Sequence, residues 1–386
     1  VNIVIAPDSF KGSLTALEAA QAMAAGVRRV FPEANLRLLP LADGGEGTLD
    51  ALLYSVEGER RTATVSGADG RPVSAAWGVL SSGPRLEAVI ESAQVVGFAQ
   101  AGQSRVAHRS SRGVGELLQL VLNAGFARIL VGLGGTSTND GGAGLLAALG
   151  VRLLDYAGRP VDPTPEGLGR LGRVDFSNLD ARLADAHLIA LTDVDNPLTG
   201  PQGATVVFGP QKGVEAHQVA EFDARLAHFA ALCDAWAGRA VSRLPGAGAA
   251  GGLGYALLLI GAQRMPGARL VCERVGLADA VRKADWVLTG EGRSDAQTLH
   301  GKLPLEVARI ARLHGVPVTL VSGRIEADAR DLLARQFDGC FEAAPEPMPL
   351  ATALKEAAQL LAQAAEAAAQ RRKAPGRVST EDDKGV

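Results

Sequence analysis

The stretch 131-VGLGGTSTNDGGAG-144 decides the reading of the fold. An apolar segment at 128–131 precedes it and the run 145–149 follows it, so strand, loop and helix succeed one another. A glycine-rich loop at such a junction turns backbone N–H groups into a concave nest, and the helix behind it adds about half a unit of positive charge. That is a cradle for phosphate or carboxylate, formed by Gly134, Gly135, Thr136, Ser137, Thr138, Asn139 and Asp140. The hydroxyls of Thr136, Ser137 and Thr138 add donors, while Asn139 and Asp140 serve to orient a ligand or to cap the helix. A plain strand–turn–helix connection is the simpler alternative, and the length and composition of this loop weigh against it.

Upstream, 1–6 is an apolar, β-branched run suited to a buried parallel strand, and the polar loop PDSFKGSLT follows. Thr15 and Glu18 form a capping box for a helix with Ala19, Met23, Val27 and Val30 on one face. A strand at 36–39 ends at Pro40 and opens into ADGGEGT, with a helix at 49–54 beyond it. Both polar loops thus follow strands, where open α/β sheets hold their ligands. From 61 to 91 the pattern shifts to short alternating strands, which do not belong to a doubly wound sheet. A helix at 114–124, the glycine loop, a strand at 187–191, the loop TDVDNPLTGPQGA and a helix at 215–237 continue this region. The α/β rhythm returns with a strand at 286–288, the loop TGEGRSD, a helix at 303–313, a strand at 316–321, a helix at 325–335 and an Ala-rich helix at 350–372.

The expected architecture is therefore α/β with two domains. A doubly wound, Rossmann-like domain is built from both chain ends, 1–65 and 285–373, and 66–284 is an inserted mixed α/β domain carrying the glycine loop. Residues 374–386 read as a disordered tail. D-G-G-x-G occurs twice, at 43–47 and 140–144.

Composition narrows the function. The 386 residues are 47% hydrophobic and 21% charged with a formal charge of −3, which fits a globular protein with no basic stripe for nucleic acid. No apolar run approaches a membrane span, no leader is evident at the first residues, and Cys233, Cys272 and Cys340 form no C-x-x-C pair; a cytoplasmic protein with structural thiols is expected. P-loop, dinucleotide, zincin and nucleophile-elbow signatures are absent. What stands out is a set of post-strand loops with Asp8, Ser9 and Lys11; Asp43 and Glu46; Asp140; Asp193 and Asp195; Lys212; Glu291, Arg293, Asp295 and Lys302. Phosphoryl transfer asks for that mixture: carboxylates for Mg²⁺ or for a proton, cations and N–H groups for phosphate oxygens. Each has a bland alternative as a turn, a cap or a solvated lysine, and His108 and His300 read as surface or core residues.

Six segments, APDSFKGSLTA, PLADGGEGT, GLGGTSTNDGGAG, TDVDNPLTG, FGPQKG and LTGEGRSDAQTLHGK, resemble in this order the type 1 glycerate kinase family, over almost the whole chain. Thr136-Ser137 and Thr192 depart from the family pattern, each keeping a small residue. The resemblance implies ATP- and Mg²⁺-dependent phosphorylation of D-glycerate, at the 2-hydroxyl to give 2-phosphoglycerate, with the active site in the cleft between the two domains. A 3-kinase, a kinase of another hydroxy acid and a non-catalytic organic-acid sensor are the alternatives. On this basis the glycine loop binds phosphate, and Lys11 or Lys302 stabilises the transferred group. Asp193, Asp295 and Glu291 are candidate Mg²⁺ ligands, with Asp193 or Asp295 as base; the sequence leaves those roles open. Asp8, Ser9, Asp43, Gly44, Gly45, Glu46 and Arg293 are assigned to substrate, Arg293 through its bidentate geometry. The partners expected are glycerate and ATP, with neither nucleic acid nor membrane, for a monomer or homodimer.

Overall fold

The computed structural model describes residues 1–82, 85–295, 298, 302–344 and 347–374. His300 and the expected tail beyond Ala374 lie outside the described residues. The chain is α/β and divides into two compact units, 1–40 with 276–386, and 41–275. The division falls after Pro40 and Val275 rather than at 65 and 285. Helix Thr48–Ser55 packs on strands of the central unit, and helix Leu277–Val281 packs on helix Leu303–Leu313 of the terminal one.

In chain order the strands are β1 (Asn2–Ile5), β2 (Asn35–Leu38), β3 (Gly58–Ser66), β4 (Pro72–Ser82), β5 (Arg85–Glu91), β6 (Arg128–Gly132), β7 (Arg152–Leu154) and β8 (Arg173–Asp175). They continue with β9 (His187–Leu191), β10 (Gln263–Met265), β11 (Trp286–Thr289), β12 (Arg293–Ser294), β13 (Val318–Ser322), β14 (Arg324–Ile325) and β15 (Gly339–Glu342).

The terminal unit is a five-stranded parallel sheet of order β15-β13-β11-β1-β2. Every residue of β11 and β13 is buried, as their continuous apolar runs require of central parallel strands. Helix Ala16–Val30 starts at the expected Thr15–Glu18 capping box, and its buried face carries Ala19, Met23 and Val27. It packs on the Ala-rich helix Ala357–Lys373, and Gly26 lets the two come close: a Cβ there would lie 2.0 Å from the Ala362 carbonyl oxygen. Two local expectations change. The 325–335 segment holds β14, a short 3-10 turn and helix Arg330–Ala334, and 350–372 is two helices, Leu350–Lys355 and Ala357–Lys373.

The central unit is a mixed six-stranded sheet of order β10-β9-β6-β5-β4-β3. β10, β9, β6 and β5 run parallel, and β4 and β3 add antiparallel edges, which explains the alternating pattern at 61–91. One apolar core runs through the unit, with Ile90, Ile129, Val131, Leu145 and Tyr255 fully or almost fully buried.

Candidate functional site

In the central unit, loops after parallel strands meet through glycine. The 43–47 loop lies across the ends of β6 and β9: a Cβ on Gly134 would fall 2.6 Å from Gly45 Cα, and one on Gly267 would fall 2.1 Å from the Asp43 carbonyl oxygen. Side chains at these points would hold the loops apart; with glycine, two carboxylates are brought together. Asp193, just past β9, accepts a hydrogen bond from the Ala268 amide at 3.2 Å. Burial raises its pKa to about 7; the Ala268 amide opposes that rise, and the neighbouring Asp43 charge adds to it. Asp43 accepts from the Gly45 amide at 3.0 Å, while Asp195 turns away to Arg264 at 2.5 Å and is largely exposed.

The two D-G-G-x-G copies share this turn: Asp140 accepts from the Gly142 amide at 3.1 Å as Asp43 does from Gly45. They then diverge. Asp140 is fully buried, and its other oxygen receives the Ser111 amide (2.7 Å), the Ser111 hydroxyl (2.8 Å) and the Gly144 amide (3.2 Å). Burial pushes its carboxyl up against the pull of those bonds. Asp140 therefore pins the starts of helices Arg112–Asn123 and Ala143–Ala148, with both oxygens engaged inside the protein. At 43–47 the matching task falls to Glu91, which accepts the Gly47 and Leu49 amides at 3.1 Å each and leaves Asp43 half-buried.

Of the cradle residues, Gly134 and Gly135 reach the surface and Thr136 barely does; Ser137, Thr138 and Asn139 are enclosed. The Ser137 amide and hydroxyl donate to the Val96 carbonyl at 2.8 and 2.9 Å, and the Asn139 side-chain amide donates to Thr205 at 2.9 Å. The other side of the loop faces two cations. Arg109 donates to the Ser137 carbonyl at 3.2 Å, and Lys212 donates to the Thr138 carbonyl at 2.8 Å. Arg109 carries no motif signal in the sequence, whereas Lys212 stands there among the marked loop residues.

In the terminal unit the strand order reverses between β1 and β11, the switch point where open α/β sheets bind ligands. The two loops that leave it hold Asp8, Ser9 and Lys11 on one side and Glu291, Arg293 and Asp295 on the other. The Asp8 amide donates to the Gly290 carbonyl at 2.8 Å, which ties the loops together. Glu291 is buried, with Oε1 accepting from Ser294 (3.0 Å) and Thr298 (2.7 Å). Burial raises its pKa, with Lys302 acting against the rise. Lys302 Nζ lies 3.5 Å from Asp295 and 3.7 Å from Glu291, so these three expected residues do come together. Arg293 is engaged by Glu326 at 2.9 Å. Among the described residues no three His, Cys, Asp or Glu side chains gather as a metal cage.

The glycerate kinase family profile matches residues 3–373. The chain belongs to the glycerate kinase family. It is therefore an enzyme, a kinase that takes ATP and glycerate as substrates. It is 44% identical over 367 residues to a glycerate kinase of Halalkalibacterium halodurans, covering 94% of this chain and 96% of that one. To the glycerate 2-kinase of Escherichia coli K12 it is 40% identical over 344 residues, covering 88% and 90%. A crystal structure from Salmonella typhimurium LT2, assigned as glycerate kinase 2, superposes with a TM-score of 0.80 at 40% identity, over 97% of this chain and 98% of that one. No helix among the described residues is long and apolar enough to cross a membrane.

Proposed function

We propose that the chain transfers the γ-phosphoryl group of ATP to the 2-hydroxyl of D-glycerate, with Asp193 as the base that accepts the hydroxyl proton. The observation that carries this is the carboxyl of Asp193, held beside Asp43 at the carboxyl end of a parallel strand and raised to about 7. A base poised near neutrality combines the right protonation state with driving force for proton transfer. The E. coli relative named a glycerate 2-kinase supports the 2-position.

Mg²⁺ enters with ATP. It keeps several waters and binds through one or two carboxylates plus phosphate oxygens, so a cage of three side chains is not required. Asp43, half-buried and next to Asp193, fits that demand, and Glu291, whose Oε1 accepts from two hydroxyls, is the second candidate. Bound there, the ion neutralises charge on the phosphate oxygens. Gly134, Gly135 and Thr136 supply the exposed edge of the cradle, and Lys302, between two carboxylates, is the charge candidate of the terminal unit. The cytoplasm, where ATP is made, suits this chemistry, and a monomer or homodimer suffices for it.

Incubation with ATP, Mg²⁺ and D-glycerate, followed by ³¹P NMR, tests the reading. A 2-phosphoglycerate resonance is expected. The 3-phospho isomer would overturn the hydroxyl assignment, and absence of any phosphoglycerate would refute the reading and point to another small hydroxy acid.

A further inference from the structure

Lys212 ends helix Ala204–Lys212, is 4% exposed, and has no carboxylate within 4.0 Å among the described residues. Buried lysines are rare unless paired. Its ammonium donates to the Thr138 carbonyl at 2.8 Å and reaches the Thr136 hydroxyl at 3.5 Å; having three N–H groups, it keeps a donor in reserve. The charges that face it are Asp140, whose oxygens are all engaged, and Arg109, of like sign, which bonds the Ser137 and Lys212 carbonyls at 3.2 and 3.0 Å.

Two further features mark the spot. Ala250 is, among the described residues, the one non-glycine with positive φ (53°), and Gly251 follows at 68°. A Cβ on Gly251 would fall 2.0 Å from the Thr138 carbonyl oxygen and 2.9 Å from Lys212 Nζ, so this strained turn is what leaves room for the ammonium. The Thr138 hydroxyl is buried beside it without a hydrogen-bond partner.

We propose that Lys212 and the Thr136 hydroxyl form an oxyanion seat at the Gly135 corner of the glycine loop, with Arg109 as a positioning residue that holds the loop's carbonyl side. The inference rests on the kinase reading above and adds to it a charged residue that the phosphate cradle otherwise lacks. Without an anion, burial lowers the lysine to about 7, Asp140 acting against and Arg109 with that shift. An arriving oxyanion restores the charge, so binding at pH 8 draws a proton onto the amine. The oxyanion is a nucleotide phosphate or the glycerate carboxylate.

Isothermal titration of the full chain with MgADP and, separately, with D-glycerate at pH 8 tests this. Lys212→Met keeps the length of the stem and removes the charge. The expected result is about a tenfold to hundredfold weaker Kd for one of the two ligands, the range for a lost charged hydrogen bond, with the other within twofold. Which ligand weakens identifies the source of the oxyanion. Thr136→Val should weaken the same ligand. A lysine with a structural role alone would lower Tm and leave both Kd values unchanged, which would overturn the proposal. Should Lys212→Met fail to fold, titration of Asp193→Asn, which removes the other group that titrates near 7, in two buffers of different ionisation enthalpy still decides: net proton uptake with one ligand supports the seat, and none refutes it. If the unaltered protein binds neither ligand, the kinase reading fails first.

Discussion

Replacing Asp193 by Asn should destroy activity and stabilise the protein, and the size of both effects follows from its surroundings. The carboxyl sits at about 7 in the folded chain against an ordinary 3.8, a rise caused first by burial and then by the charge of Asp43. At about 1.36 kcal/mol per pKa unit, holding the ionised form costs roughly 4 kcal/mol, and partial exposure to screening water reduces this to about 2 kcal/mol. The sign is that of a raised acid. Below about pH 4 the group is protonated in both folded and unfolded chains and costs nothing; as pH rises to about 7 the unfolded chain loses its proton first and stability falls. Asn removes that cost. Its melting temperature should therefore exceed that of the parent by about 4–8 °C at pH 8 and by about a third of that at pH 5, in EDTA without ligands. In the same preparations kcat should fall at least about a hundredfold, and the parent's kcat/KM should rise with pH through a limb near 7. A melting difference equal at both pH values, or turnover within threefold of the parent, would refute the reasoning.

Two further expectations concern the scaffold. Glu87 is buried and held by Arg274 at 3.1 Å and Arg128 at 3.6 Å, so Arg274→Met should cost about 3 kcal/mol in denaturant unfolding with kcat/KM unchanged in the folded fraction, and adding Glu87→Gln should restore most of it. Gly134→Ala places a methyl 2.6 Å from Gly45 Cα, where backbone must yield; steady-state kinetics should show kcat/KM lowered by at least about tenfold, and an unchanged value would mean the two loops part without consequence.

Much of the molecule is legible along the chain. The Thr15–Glu18 capping box, the buried runs of β1, β11 and β13, and the glycine loop after β6 are local signals, since helix caps, parallel strands and positive-φ turns each demand particular residues within a few positions. The same locality explains the misjudged 325–335 segment, where helical composition around Leu332 and Leu333 hides the short β14 pairing with β12. It also explains the placing of 41–65 with the terminal domain: a loop and helix after a strand read alike whichever sheet they pack on, and it is the packing of helix Thr48–Ser55 on β3, β4 and β5, with the pairing of β3 and β4, that assigns them to the central unit.

By itself the sequence determined the α/β class and the family, and marked the glycine- and carboxylate-bearing loops, because spacing and residue type are properties of the chain. It could not separate the two D-G-G-x-G copies, nor find Arg109 and Glu91. The tertiary structure decided that Asp140 is a buried cap while Asp43 stands beside Asp193, and that Lys212 is a buried amine. Burial, and the charges that share it, are set by residues far apart in sequence, and those surroundings decide what a carboxylate or an amine can do.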